Sequence, residues 1–209
     1  VGPVYGNTDK NEYGYGLAAR PQGDGFYAVG RKADSTLIMQ LDLDGNILWS
    51  EKFDLSPDTT DHSGTVIVDS DGNLVIGGTG GDAGLGGSTF ACKFNPVTRQ
   101  IIWAKEYITV WTHGRFFYMA ENPNNGNYVI STNPEEKSTP DNDATLLEVE
   151  RNTGNLNQAN SKQYSLKSSE TINKFLYHDG FIYGAGRYTD GPFPAQMRNT
   201  LVKIDPANM

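Results

Sequence analysis

A strand that returns four times, a glycine-marked turn at a fixed place in each copy, and the absence of any helical period predict an all-β fold. The architecture they point to is a β-propeller of four blades of about fifty residues each. The recurring strand reads TLIMQLD at 36–42, TFACKFN at 89–95, ATLLEVE at 144–150 and NTLVKID at 199–205. Its closing residues, Asp42, Asn95, Glu150 and Asp205, return at intervals of roughly fifty to fifty-five residues, a spacing that belongs to repeat architectures. Wherever a 3.6-residue apolar period begins, Gly, Asn or Pro interrupts it.

Each copy resolves into four strand-like pieces. A short apolar piece comes first, at 15–19, 65–68, 116–120 and 174–177. A turn follows: GDG at 23–25, DSDGN at 69–73, NNGN at 124–127 and HDG at 178–180. The second strand starts at Phe26, Leu74, Tyr128 and Phe181. Glycines in it permit close backbone approach. The recurring strand is third. After the turns DLDGN, NPVTRQ and RNTGN comes a fourth, ILWSEKF from Ile47, IIWAKEY from Ile101 and LNQANSKQY from Leu156. The single domain 1–209 therefore divides into blades at 13–54, 61–107, 114–164 and 171–209. The fourth repeat ends before its fourth strand, and an extra strand is expected at 1–6, because Tyr5-Gly6 resembles the ends of the fourth strands. Three arrangements fit: a closed four-bladed ring in which 1–6 completes the last blade, part of a larger ring, or strand donation between subunits. Val1 stands where an initiator Met would, which is expected of a chain that lost a targeting segment or of an excerpt.

Bulk composition narrows the function classes. The 209 residues suit one domain with a proper core. A formal net charge of −8 repels phosphate backbones, so no nucleic-acid partner is expected. No apolar run approaches the roughly 18 residues of a membrane span. The single cysteine, Cys92, excludes an internal disulfide and reads as a small core residue.

The pattern DG-x-strand-G, then T-L-apolar-K-L-D, then x-G-N-apolar-W-S/A-K-x-Y resembles bacterial secreted β-propeller repeats, including quinoprotein-type repeats and repeat proteins of Gram-negative cell surfaces. It covers about 13–209 and is clearest in LDLDGNILWSEKF and FNPVTRQIIWAKEY. The resemblance implies that Trp49 and Trp103 pack neighbouring sheets. The third repeat departs from it, with Gln158 near that slot. The resemblance speaks to architecture, since propellers host enzymes, lectins and scaffolds alike.

Candidate chemistry is sparse. Two DxDGN segments, 42–46 and 69–73, suggest calcium, but glycine precedes the third candidate ligand and the twelfth positions are Phe53 and Gly80, so both read as hairpin turns. No metal and no cofactor is expected. His62 and His113 fall just before innermost strands, near the channel mouth, where Arg115 and Glu170 can join them in a polar ligand site. His178 lies in a turn. The loops at 78–87, 133–143 and 187–199 share one rim, where Tyr188, Phe193 and Met197 offer apolar contacts, as does Trp111 outside the repeat's tryptophan slot. The candidate ligand-binding set is therefore His62, His113, Arg115, Glu170, Trp111, Tyr188 and Phe193, with no catalytic residue. The reading is a non-enzymatic extracellular or cell-surface scaffold, bacterial in type, that assembles with other subunits or with copies of itself. The alternatives are a carbohydrate-binding propeller with glycan partners and a fragment of a quinoprotein-like oxidoreductase.

Overall fold

The computed structural model describes residues 12–55, 61–80, 88–107, 114–134, 143–164, 169–190 and 196–206. These form four antiparallel meander sheets, the four blades of a β-propeller. Blade 1 is β1 (Glu12–Ala19), β2 (Phe26–Lys32), β3 (Ser35–Leu41) and β4 (Ile47–Phe53). Blade 2 is β5 (Asp61–Val68), β6 (Leu74–Gly80), β7 (Ser88–Asn95) and β8 (Gln100–Tyr107). Blade 3 is β9 (Gly114–Glu121), β10 (Tyr128–Pro134), β11 (Ala144–Val149) and β12 (Leu156–Tyr164). Blade 4 is β13 (Ser169–His178), β14 (Phe181–Asp190) and β15 (Gln196–Ile204). The strand expected at 1–6 lies outside the described residues.

Both DxDGN segments are hairpin turns. Gly45 and Gly72 have φ of 85° and 80°, and their N–H groups donate to the carbonyls of Asp42 and Asp69 at 3.2 and 2.9 Å. The Asp42 carboxylate accepts from the backbone N–H and the side-chain amide of Asn46, which holds its pKa below the ordinary 3.8.

A bulge recurs at one place in every innermost strand. Register shifts fall between Gly14 and Gly16, between Ser63 and Thr65, opposite Ser131 and Thr132, and between Ile172 and Lys174. In blades 1 and 4 the bulge brings a first-strand carbonyl close over the second strand. That explains the glycines there: a Cβ on Gly30 would stand 2.0 Å from the Tyr13 carbonyl oxygen, and one on Gly186 1.7 Å from that of Thr171.

Strand pairing puts every repeat in one register, and the register assigns two faces to each blade. The forward positions are Ala18, Tyr27 and Ile38 in blade 1; Ile67, Val75 and Ala91 in blade 2; Ala120, Val129 and Leu146 in blade 3; Leu176, Tyr183 and Leu201 in blade 4. The backward positions are Leu17, Phe26, Met39 and Leu41; Val66, Leu74, Cys92 and Phe94; Met119, Tyr128, Leu147 and Val149; Phe175, Ile182, Val202 and Ile204. Three hydrophobic clusters follow, each joining the forward face of one blade to the backward face of the next. Cys92 is fully buried in the first, as its strand pattern predicts. Among the described residues no comparable packing joins blade 4 back to blade 1.

The two tryptophans occupy equivalent register positions, Trp49 opposite Gln40 and Trp103 opposite Lys93. Their burial differs. Trp103 is 7% exposed, with its indole N–H donating to the Arg151 carbonyl at 3.0 Å and Gly154 beneath its ring. Trp49 is only half-buried. It packs on Tyr27 and Phe94 with the Arg99 guanidinium 5.4 Å from its ring, and its indole N–H donates to Gln40. In blade 3 the register slot belongs to Asn157, opposite Glu148, one residue from the expected Gln158.

Candidate functional site

Three features of the described residues are neither ordinary core nor ordinary surface. The first is a cavity of about 270 Å³ between blades 3 and 4. Strand β12 contributes Lys162 and Tyr164, β13 contributes Glu170, Thr171 and Ile172, and β15 supplies one wall from Thr200 to Asp205. Burial pushes the Tyr164 phenol up to about 12, so it stays neutral at physiological pH. Neither the Tyr164 hydroxyl nor that of Thr171, which is buried, meets a hydrogen-bond partner. Chemically, the space offers two hydroxyl groups over an apolar floor of Ala144, Ile172, Val202 and Ile204.

The second feature is a polar staple between blades 2 and 3. Asp69, in the DSDGN turn, accepts from Lys93 Nζ at 2.8 Å, from the Tyr128 hydroxyl at 2.7 Å, and from the N–H groups of Asp71 and Asn73. Burial by itself would raise the Asp69 carboxyl, but the donors from Lys93, Tyr128 and Asn73 outweigh it and leave the pKa below 3.8. Burial, reinforced by the Asp69 charge, drives the Tyr128 phenol far above its usual value. Arg151 continues the staple: it pairs with Asp71 at 2.6 Å and with Glu121, which also accepts from the backbone and hydroxyl of Ser70. Every acidic oxygen of Asp69 is thus committed to the fold. At the register position of Lys93, blade 3 carries Glu148, whose Oε1 accepts from the amides of Asn125, Asn127, Asn157 and Asn160. In the slot that holds tryptophan in blades 1 and 2, Asn157 donates to this buried carboxylate, as the Trp49 indole donates to Gln40 in blade 1.

The third feature is the pair of terminal faces. On blade 1 the backward position Leu17 on β1 is 62% exposed, and Ile47 and Leu48 on β4, at the other edge of the sheet, are exposed too. On blade 4 the forward positions Leu176, Tyr183 and Leu201 are exposed, Leu201 to 86%, as is Met197 on the same side of β15. The counterparts of Leu201 at the three inner interfaces, Ile38, Ala91 and Leu146, are all buried. Contiguous apolar exposure of this kind marks a surface that meets another.

Of the sequence-predicted site residues, His62, Arg115, Glu170 and Tyr188 lie among the described residues. His62 and Arg115 sit at the same register on neighbouring innermost strands, paired with Thr79 and Asn133. Glu170 is the second residue of β13, opposite Tyr188; it is buried and lines the cavity between blades 3 and 4. Tyr188 is half-buried. His113, Trp111 and Phe193 lie outside the described residues. Among the described residues, no three His, Cys, Asp or Glu side chains gather to hold a metal ion. Sequence reasoning missed the Asp69–Lys93–Tyr128 staple. Its available signal was the polar residue that interrupts every recurring strand at one place, Gln40, Lys93, Glu148 and Lys203.

No family model and no curated protein matches the chain. Solved structures do. A Bacteroides uniformis protein assigned as a 6-phosphogluconolactonase superimposes with a TM-score of 0.56 at 12% identity, over 93% of this chain and 56% of that one. Extracellular domains 1–2 of Drosophila Semaphorin 1b give 0.58 at 9% identity, over 97% and 39%. Puromycin hydrolase gives 0.53 at 12% identity, over 94% and 27%. The chain therefore spans little more than half of the first of these structures and less of the others. Likeness at such identities shows the fold, and these proteins differ in task.

Proposed function

We propose that this chain is a non-enzymatic propeller segment that works as an interaction scaffold, with the two terminal blade faces as its working surfaces. One observation carries the reading: blade 4 exposes Tyr183 and Leu201, and blade 1 exposes Leu17, at register positions that the three inner interfaces bury. Polar chemistry points the same way, because the best-organised charged groups, Asp69, Lys93 and Arg151, are spent joining blades. Placement outside a bacterial cell or on its surface rests on the resemblance to secreted quinoprotein-type repeats. The likeness to semaphorin extracellular domains supports it; among the described residues no helix is long and apolar enough to cross a membrane.

The test is a double substitution, Leu17→Asp with Leu201→Asp. Both side chains are exposed, so the melting temperature should hold within a few degrees while the native particle shrinks in light scattering. An unchanged particle size would show that the faces bind nothing, and the scaffold reading would fail.

A further inference from the structure

A second working place lies inside the molecule, and it does not depend on the scaffold reading. We propose that the cavity between blades 3 and 4 binds a small uncharged molecule with one apolar ring and a single carbonyl or hydroxyl oxygen. The two protein groups that receive this oxygen come from different blades: Tyr164 from β12 of blade 3 and Thr171 from β13 of blade 4.

Packing at the neighbouring interface shows what the space lacks. Between blades 2 and 3, Phe116 packs so tightly that a Cβ on Gly77 would stand 2.2 Å from its ring. Phe116 and Ile172 both stand immediately before the bulge of their innermost strand. Ile172 is therefore the blade 4 counterpart; it has no ring, and it lines the cavity. Ala144, Val202 and Ile204 complete the apolar floor. The volume of about 270 Å³ sets the size of the occupant. A cavity of about 150 Å³ already holds benzene, so this one takes a ring with a short substituent.

The polar groups set the chemistry of the occupant. Thr171 is 5% exposed, and neither its hydroxyl nor the buried Tyr164 oxygen has a hydrogen-bond partner among the described residues. A buried hydroxyl left alone is unfavourable, and an incoming oxygen that pairs with it recovers the bond. Each hydroxyl can donate and accept, so a ketone or an alcohol serves. A charged occupant would find nothing to answer it. Lys162, Glu170 and Asp205 are already engaged within the protein, and Lys203 holds its ammonium 3.8 Å from the centre of the Phe181 ring. An unpaired charge in such a place is costly. A sugar is disfavoured for a related reason, since its many hydroxyls would lie against the apolar floor. An occupant that touches both blades favours the packed pair, so binding should stabilise the native chain.

The experiment uses the full chain with acetophenone as the probe, read by isothermal titration and thermal melts. Acetophenone should bind saturably and raise the melting temperature. Ethylbenzene, which keeps the ring and lacks the oxygen, should bind roughly tenfold more weakly, and benzoate and glucose should not bind. Thr171→Val and Tyr164→Phe should each weaken acetophenone roughly fivefold while leaving ethylbenzene unchanged. General loosening of the fold would weaken both probes together. Ile172→Phe, which supplies the ring that blade 3 carries, should melt cooperatively and abolish binding of either probe. If that variant fails to fold, the two hydroxyl variants still decide. Four results would each overturn the proposal: no saturable acetophenone binding, ethylbenzene bound as tightly, benzoate or glucose bound more tightly, or hydroxyl variants that bind acetophenone as before. None of these measurements reads particle size, so the scaffold reading stands or falls separately.

Discussion

The forward faces of blade 3 and blade 4 have the same register, nearly the same strand, and opposite surroundings. Leu146 in ATLLEVE is fully buried against Phe175, Ile182 and Ile204; Leu201 in NTLVKID is 86% exposed. Both are Leu at the third place of the recurring segment, though β11 is paired on both sides and β15, last in its described sheet, on one. The difference lies in the neighbouring blade. In a repeat fold the strand specifies a face, and the next repeat decides whether that face becomes core or contact surface.

The largest expected effect comes from placing a charge on each side of this comparison. Leu146→Asp should unfold the chain, because an unpaired carboxylate would enter a sealed apolar cluster. The near-UV circular dichroism and cooperative melt should vanish. Leu201→Asp should leave both unchanged. If the two variants behave alike, the faces are not equivalent and the register assignment is wrong.

The tryptophans sharpen the same contrast. Trp103→Ala should cost roughly 3–5 kcal/mol in urea unfolding, since the ring is sealed by Gly154 and the Arg151 carbonyl. Trp49→Ala should cost about half as much, because its outer side is covered by a guanidinium rather than by the next blade's turn. Equal losses would remove the distinction between them.

Asp69→Asn tests the staple. It keeps the shape of the turn but leaves Lys93 buried without its counter-charge, at a cost on the order of 3 kcal/mol. Its pH signature has a definite sign. The folded Asp69 pKa lies below the ordinary 3.8, so its contribution is fully present above about pH 4. It is lost as pH falls further, through the folded value. Chemical denaturation between pH 5 and 2 should show this acid limb, flattened in the variant.

Alanine at the turn glycines has the smallest effects, Gly154→Ala before Gly72→Ala. At φ 70°, and with Trp103 2.5 Å from the new Cβ, Gly154→Ala should cost about 1–3 kcal/mol. Gly72→Ala, at φ 80° with open space around it, should cost only about 1 kcal/mol of backbone strain.

How much of this was legible beforehand follows from the range over which each feature acts. Hairpins and turns are set within a few residues. DGN at 44–46 and 71–73 predicts positive-φ glycines because few other residues take that backbone cheaply. The candidate site was less legible. The sequence suggests Glu170 for a polar site with His62, His113 and Arg115; in the fold it lines a cavity between blades 3 and 4, and that depends on how β12 and β15 face each other. Asp69 looked like a surface turn residue. Its burial comes from Tyr128, fifty-nine residues away, whose hydroxyl reaches it only once blade 3 is packed.

The sequence by itself determined the strand order, the four-fold register and the turns, because a period-two pattern and a glycine's conformational freedom are local properties. Tertiary structure alone decided which of two tryptophans is sealed, which turn carboxylate holds a buried lysine, and which equivalent leucines lie in the core. Those outcomes depend on the blade that arrives from the next repeat, and no single repeat carries that information.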